Sequence, residues 1–171
     1  MISSKTLNVD NPRLNCRLKG YEKFSPKRII LDKNLEIRLN SYIFKSAKKD
    51  NTIIFYNSSN YKKIKILKKK GFMVIKSQLD HKGLFDLKMI LRKLFNHGVR
   101  NLLVEGGDKL TKNLIKKKLI DIFYLIRSPK ILPKDIVVKG FTSLEILKKN
   151  YKKRYKITSK LVKDNITIYK R

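Results

Sequence analysis

The residues best placed to do chemistry follow a short apolar run. Residues 102–104 are Leu-Leu-Val, and Glu105, Gly106 and Gly107 come next. The run predicts an inner parallel strand with Glu105 at its carboxyl end, where open α/β sheets bind their ligands. Paired glycines let backbone approach a bound group, and the start of the following helix favours phosphate. The segment therefore predicts a floor for a phosphorylated ligand, with a plain strand-to-helix turn as the alternative.

The sequence offers few groups for covalent or metal-dependent catalysis. Cys16 is the only cysteine, which rules out an internal disulfide, and the two histidines, His81 and His97, are far from it in the sequence. A zinc site is therefore not expected. The sequence also has no nucleophile elbow. We expect neither a metal ligand nor a catalytic nucleophile.

The net charge of +30 is extreme, and it allows two interpretations. One is a nucleic-acid-binding surface. The other is a lysine-rich composition without a binding role, which we favour because the lysines are spread over the whole chain. Either way, the positive field should speed the capture of an anionic ligand and make its binding sensitive to salt.

The hydrophobic pattern alternates between strands and helices through the middle of the chain. Predicted strands are 28–31, 52–56, 72–75, 101–104 and 122–126. Predicted helices are 61–70, 84–96 and 109–118, with a helical turn at 141–147. Residues 155–162 and 166–169 flank 163–165 as a hairpin, and residues 1–20 are polar, with an ordered turn at Asn11-Pro12.

This order predicts one α/β domain over residues 1–171. Its sheet is expected to be mixed and mostly parallel, flanked by helices, with a C-terminal antiparallel hairpin. No apolar run is long enough to cross a bilayer, and no signal peptide is seen near Met1. We expect a cytoplasmic protein without a membrane partner.

Five sequence blocks resemble the riboflavin-biosynthesis reductases. Residues 3–17, SSKTLNVDNPRLNCR, are similar to that family's T-x-x-x-D-x-P-x-L-x-x-R segment, and residues 104–107, VEGG, to its second hallmark. Blocks at 26–32, 119–121 and 129–132 match the pattern in the family's order. The chain thus resembles the reductase domain of the bifunctional deaminase-reductase, which has a dihydrofolate-reductase-like fold.

The resemblance implies a reaction. The family reduces the ribosyl group of 5-amino-6-(5-phosphoribosylamino)uracil to the ribityl group, and NADPH gives its hydride to C1 of the ring-opened sugar imine. The protein then has to position the two partners, because the cofactor carries the chemistry. Related reductases accept the deaminated or the aminated pyrimidine, so that choice stays open. A basic nucleic-acid-binding module is the alternative function.

The resemblance assigns site residues by position. Leu14, Arg17 and Glu105 match substrate-binding residues, and the planar donor fork of Arg17 suits the substrate phosphate. Thr6 and Asp10 match NADP contacts. The other expected cofactor contacts are Lys33, which would meet the 2′-phosphate, and the run Gly107, Asp108, Lys109, Leu110, Thr111, Lys112 and Asn113.

The sequence departs from the family at two places. The family's domain opens with a strand and a helix before its first motif, whereas Met1 lies only five residues ahead of Thr6. We therefore expect an N-terminal truncation, and a homodimer or completion by an upstream segment, since an uncovered sheet edge invites pairing. An inactive chain and a non-catalytic partner subunit are the alternatives. In addition, Pro133 stands where the family tends to have glycine.

Overall fold

The computed structural model describes residues 1–129, 141–157 and 164–171. Its contacts divide the chain into two compact units, Met1–Gly107 and Asp108–Arg171. The first unit contains β1 (Ile2–Ser3), α1 (Ser4–Asp10), β2 (Arg28–Leu31), α2 (Tyr42–Lys45), β3 (Thr52–Tyr56), α3 (Tyr61–Lys69), β4 (Met73–Lys76) and α4 (Leu87–Asn96). The second contains α5 (Asp108–Lys116), β5 (Ile122–Arg127), α6 (Leu144–Asn150), β6 (Lys153–Ile157) and β7 (Asn165–Lys170).

The first unit is built on a parallel sheet with the strand order β1-β2-β3-β4. Ile30 lies at the centre, in register with Ile2 on one side and Ile54 on the other. β2 is buried throughout, as is β3 except for its last residue, which explains their continuous runs of apolar and β-branched residues. Helices α1, α2 and α3 add Leu7, Ile43 and Leu67 to the same core.

A buried carboxylate closes the end of β2. The side chain of Asp32 is fully buried and accepts hydrogen bonds from the backbone N–H groups of Glu36 and Ile37, both at 2.8 Å. Burial raises the pKa of Asp32, and the two hydrogen bonds act in the opposite direction. The carboxylate thereby shapes the turn in which Leu35 adopts a left-handed backbone, with a φ of 59°.

The second unit is an antiparallel sheet with the order β5-β7-β6 and two helices. One sheet face packs against the helices in a cluster that includes Ile115, Leu147, Tyr151 and Tyr169. The pairing register puts seven apolar side chains on the other face, which we call the exposed sheet face: Ile122, Tyr124, Ile126, Tyr155, Ile157, Ile166 and Ile168. The five on β5 and β6 are all exposed, with Ile126 at 62% and Tyr124 at 55%.

The predicted fold class is confirmed, since a parallel sheet with helices is followed by antiparallel strands. The antiparallel strands form a sheet of their own, however, and are not the edge of a single mixed sheet. The strands at 28–31 and 52–56 form as predicted, and the predicted helix 61–70 ends one residue early, with Gly71 beyond it at a φ of 96°. The strand expected at 72–75 forms one residue later, and β5 extends to Arg127. The single-domain organisation stays a prediction.

Three predicted helices start at residues other than those predicted. The helix expected from residue 84 begins at Leu87, because Leu84 is held in a turn by the Asp80 carboxylate and Asp86 caps the N–H groups of the first turn. The helix following Phe141 begins only at Leu144 and continues to Asn150. The helix expected at 109–118 runs instead from Asp108 to Lys116.

Residues 1–20 are polar in sequence and no helix was predicted for them, but the structure contains one. Residues Ser4–Asp10 form α1, which Ser3 caps and which buries Leu7 against the sheet. The predicted turn at Asn11-Pro12 is present, because Asn11 ends the helix in a left-handed conformation with a φ of 43°. The hairpin prediction is confirmed in the pairing of β6 with β7. Residues 158–163, Pro133 and most of the block at 129–132 lie outside the described residues.

Candidate functional site

The segment that carries Glu105 lies beside Met1, the residue that precedes β1. The Met1 amino group donates to the carbonyl oxygen of Leu103 at 2.5 Å, and the N–H of Glu105 donates to the carbonyl oxygen of Met1 at 3.1 Å. This is the hydrogen-bond pattern of a parallel pair centred on Val104. Burial lowers the pKa of the Met1 amino group to about 6, and the negative charge of Glu105 acts in the opposite direction.

Residues 101–104 do not form the buried inner strand that was predicted. No strand is assigned to these residues, and exposed and half-buried side chains alternate along them. Leu103 is 69% exposed. The apolar run predicted burial on both faces, whereas the described backbone bonds of this segment to the sheet are those with Met1. Glu105 is exposed as a result of the same alternation.

A cavity of about 860 Å³ lies within the first unit. Its lining comes from residues 11–17, 26–29 and 97–103, together with Met1 and Glu105. Leu14, Arg17 and Glu105, the three residues expected to bind substrate, all line it. The cavity borders the amino ends of β1 and β2 rather than their carboxyl ends, where the sequence led us to expect a ligand.

The loop 11–17 is held by its own side chains and by its neighbours. The side-chain oxygen of Asn11 accepts a hydrogen bond from the N–H of Tyr42 at 2.8 Å, which ties the loop to α2. The N–H of Cys16 donates to the Ser25 hydroxyl at 3.1 Å. Leu14 has a left-handed φ of 50°, which is costly for a leucine and is often found where a loop presents side chains to a ligand.

The charge of the cavity lining is strongly positive. Glu105 is the carboxylate among the lining residues, and five side chains are cationic: Arg13, Arg17, Lys27, Arg28 and Arg100. Arg100 is partly engaged, since its guanidinium lies 4.0 Å from the centre of the Phe95 ring and donates to the Phe95 carbonyl oxygen. A cavity lined by more cationic than anionic side chains attracts anions.

The cofactor residues expected in the first unit do not line this cavity. Thr6 lies in α1, with its hydroxyl 3.2 Å from that of Ser3, and Asp10 is the exposed last residue of the helix. Lys33 follows the carboxyl end of β2 and donates to the Gly83 carbonyl oxygen at 3.1 Å. Gly107 does not need a left-handed backbone, and a Cβ there would meet no atom within 4 Å. The position of Gly107 is therefore marked by open space and not by a strained backbone.

The remaining expected cofactor residues open the second unit. They span the first six residues of α5: Asp108, Lys109, Leu110, Thr111, Lys112 and Asn113. The Asp108 carboxylate accepts hydrogen bonds from the Thr142 hydroxyl at 2.6 Å, from the Thr142 N–H at 3.1 Å and from the Ser143 hydroxyl at 3.5 Å. The Thr142 hydroxyl is the main cause that lowers the pKa of Asp108. The carboxylate thus joins the start of α5 to the residues that precede α6.

Among the residues that the structure describes, no group of three or more His, Cys, Asp or Glu side chains could hold a metal ion. Nor is any helix in the described ranges both long and apolar enough to cross a membrane.

Sequence reasoning did not single out two arginines that the structure places in the cavity lining, Arg13 and Arg28. The signal for Arg28 was a cation at the head of the apolar strand Arg-Ile-Ile-Leu, where a charged side chain needs a specific partner set. Arg13 had no distinguishing signal among so many basic residues.

Comparison with known proteins identifies the family. The RibD C-terminal domain model matches residues 1–162. The chain belongs to this family. Over 171 residues, all of this chain, it is 32% identical to the riboflavin biosynthesis protein RibD of Aquifex aeolicus, and it spans 46% of that protein. It is also 28% identical over 141 residues, 76% of this chain and 65% of the relative, to a 5-amino-6-(5-phosphoribosylamino)uracil reductase of Buchnera aphidicola.

A solved structure supports the fold of this RibD-type chain. RibD of Acinetobacter baumannii superimposes with a TM-score of 0.73 at 18% identity, over 99% of this chain and 45% of that protein. The chain therefore spans about half the length of the RibD proteins that it resembles. The family match gives no support to the nucleic-acid alternative.

Proposed function

We propose that this chain catalyses the NADPH-dependent reduction of the ribosyl group of 5-amino-6-(5-phosphoribosylamino)uracil to the ribityl group. The observation that carries the proposal is the placement of Leu14, Arg17 and Glu105 around one cationic cavity in a RibD C-terminal domain. The name of the Buchnera relative supports the choice of reaction.

On the substrate side, Arg17 binds the phosphate through its planar donor fork. Glu105, on the segment paired with Met1, accepts hydrogen bonds from the aminopyrimidine or from the opened sugar. Leu14 provides an apolar contact from a loop whose left-handed backbone fixes its direction. These residues lower the barrier by holding the sugar carbon in place, and no side chain has to form a covalent bond.

On the cofactor side, the residues present fit a phosphorylated dinucleotide. Lys33 uses its ammonium group for one described hydrogen bond, to Gly83, and an ammonium has three donors, so it can also meet a 2′-phosphate. The open space at Gly107 accommodates a group outside the protein. Thr6 and Asp10 would provide further contacts within the first unit. The cofactor role of the first residues of α5 stays a prediction from the family resemblance. When bound, NADPH supplies the hydride.

We further propose that the protein is a cytoplasmic homodimer that uses the exposed sheet face. β5 is apolar on both faces, and this pattern is typical of a strand that is covered on both sides. Only the face toward α5 and α6 is covered in the described part of the second unit. Two copies can stack these faces about a two-fold axis, as two sheets do in a sandwich.

Turnover by the purified chain tests the proposed reaction. NADPH consumption should require a phosphorylated aminopyrimidine, and the deaminated and aminated forms should be tried side by side at low and moderate salt. We expect saturable turnover that weakens as salt rises, because the cavity lining is cationic. An absence of turnover with both pyrimidines at both salt concentrations would contradict the proposal.

A further inference from the structure

Arg28 is the most deeply buried basic side chain in the lining of the cavity. It is the first residue of β2, and it is 6% exposed. Arginine side chains are rarely this buried unless a carboxylate or a bound anion balances their charge. The question is therefore which groups compensate the buried charge of Arg28.

Neutral oxygens hold the guanidinium in place. Its Nε donates to the Thr52 hydroxyl at 3.0 Å, and one Nη donates to the Ser46 hydroxyl at 2.7 Å. The other Nη donates to the Ser46 carbonyl oxygen at 3.2 Å and to the Asn51 side-chain oxygen at 3.1 Å. These bonds fix the planar group between the start of β2, the start of β3 and the end of α2, but they leave its positive charge unbalanced.

The described residues provide no carboxylate within ion-pair distance of Arg28. Burial lowers the pKa of Arg28, while Tyr42 acts in the opposite direction. An unpaired buried charge is destabilising, since it loses its hydration without a Coulombic return. Arg28 is one of the residues that line the cavity. An anion in the cavity would therefore provide a favourable Coulombic interaction with its guanidinium.

A second cation is connected to the same network. The Arg13 guanidinium lies 5.2 Å from the centre of the Tyr42 ring. The carbonyl oxygen of Tyr42 accepts a hydrogen bond from the Ser46 hydroxyl at 2.7 Å, and that hydroxyl also accepts from Arg28. The fixed guanidinium and the loop that carries Arg13 and Arg17 are thus joined through α2.

We propose that Arg28 is a positioning residue for the anionic group of the ligand, and that the phosphate bound by Arg17 balances its buried charge. The inference rests on the proposed function, because that function makes the ligand a phosphate ester. It adds to that function a fixed, buried charge that draws the phosphate into the cavity without being one of its direct donors.

Binding of inorganic phosphate to the full chain tests this role. Titration calorimetry at low and moderate salt should compare the unchanged chain with Arg28→Met and Arg28→Lys. Arg92→Met, which removes an exposed cation of α4, is the matched control. Urea unfolding of each variant measures the structural effect separately.

We expect Arg28→Met to weaken phosphate binding roughly ten-fold at low salt and to reduce its salt dependence, as the loss of a nearby buried unit charge should. Arg28→Lys should keep most of the affinity although it loses the forked hydrogen bonds and some stability. Arg92→Met should bind like the unchanged chain. If Arg28→Met fails to fold, Arg28→Gln provides an uncharged variant with a polar head, and the same loss is expected.

Three results would overturn the inference. The first is an uncharged variant that is less stable but binds phosphate with unchanged affinity and salt dependence. The second is a lysine variant as weak as the methionine variant, because geometry rather than charge would then matter. The third is an unchanged chain that binds no phosphate. A chain that binds phosphate in an Arg28-dependent way but does not reduce the pyrimidine substrate would contradict the proposed reaction. It would still support the role of Arg28.

Discussion

Arg17 and Glu105 line the same cavity although they are far apart in the sequence. Arg17 is brought there by the loop that follows α1, and Glu105 by its backbone bond to Met1 at the start of β1. A guanidinium and a carboxylate at one cavity can bind a ligand that carries both a phosphate and hydrogen-bond donors.

The first prediction concerns Arg17. Arg17→Met should raise the KM for the phosphorylated pyrimidine about 10- to 100-fold, the range for losing a hydrogen bond to a charged group, with a smaller effect on kcat. Steady-state kinetics measure both constants, and Arg92→Met is the control for a general loss of positive charge. Equal KM values for the two variants would show that Arg17 has no specific role.

The second prediction concerns Gly71. Its φ is 96°, and a Cβ would come within 2.9 Å of backbone atoms of Lys48 and Lys49. Gly71→Ala should lower the free energy of unfolding by at least about 2 kcal/mol, because strain adds to a contact with rigid backbone. Gly98→Ala is the control, since Gly98 also has a positive φ but open space around it.

Urea denaturation measures both glycine variants. The control should lose only about 1 kcal/mol from the left-handed backbone. Equal losses in the two variants would mean that the close approach to Lys48 and Lys49 is unimportant.

The third prediction concerns the pKa of Asp108. Thr142→Val should move this pKa up toward its ordinary value, because the Thr142 hydroxyl is the main cause of its lowering. Ser143→Ala should have a smaller effect, since its hydroxyl lies 3.5 Å away. NMR titration of the Asp108 carboxyl group measures both shifts.

The same contact has a consequence for stability. Because the folded pKa of Asp108 is lowered, its contribution is present above the ordinary value of 3.8 and is lost as the pH falls through the folded value. Thr142→Val should flatten that part of the acid unfolding curve. An unchanged titration would contradict the assigned hydrogen bond.

The fourth prediction concerns the exposed sheet face. Ile126→Lys should shift the protein from dimer to monomer in analytical ultracentrifugation, since a lysine at the centre of an apolar contact loses its hydration. Lys156→Gln, a change on the opposite face of β6, should leave the dimer intact. A protein that is monomeric before any substitution would contradict the proposed dimer.

Local patterns predicted most elements of the parallel sheet. The apolar runs of β2 and β3 and the glycine after α3 each determine structure within a few residues. The prediction missed a helix or misplaced its start where a distant contact decides the outcome. α1 depends on burying Leu7 against the sheet, and Leu84 is kept out of α4 by the Asp80 carboxylate.

The site was predictable only in part, and through the family resemblance. That Leu14, Arg17 and Glu105 share a cavity follows from the motifs, whose residues each carry little information alone. The roles of Arg13 and Arg28 could not be predicted, because basic residues are abundant and burial of one of them depends on Ser46, Asn51 and Thr52. The alternation of exposed and half-buried side chains along residues 101–104 was also unpredictable, since a run of apolar residues does not reveal how many strands flank it.

Isotope transfer tests the central proposal most directly. The purified chain is incubated with the phosphorylated aminopyrimidine and NADPH that carries deuterium at the hydride position, and the product is examined by mass spectrometry and NMR. We predict a ribityl product with a single deuterium, located at C1 of the former ribosyl group. A product that carries no deuterium, or carries it elsewhere, would contradict the account, as would the absence of any ribityl product.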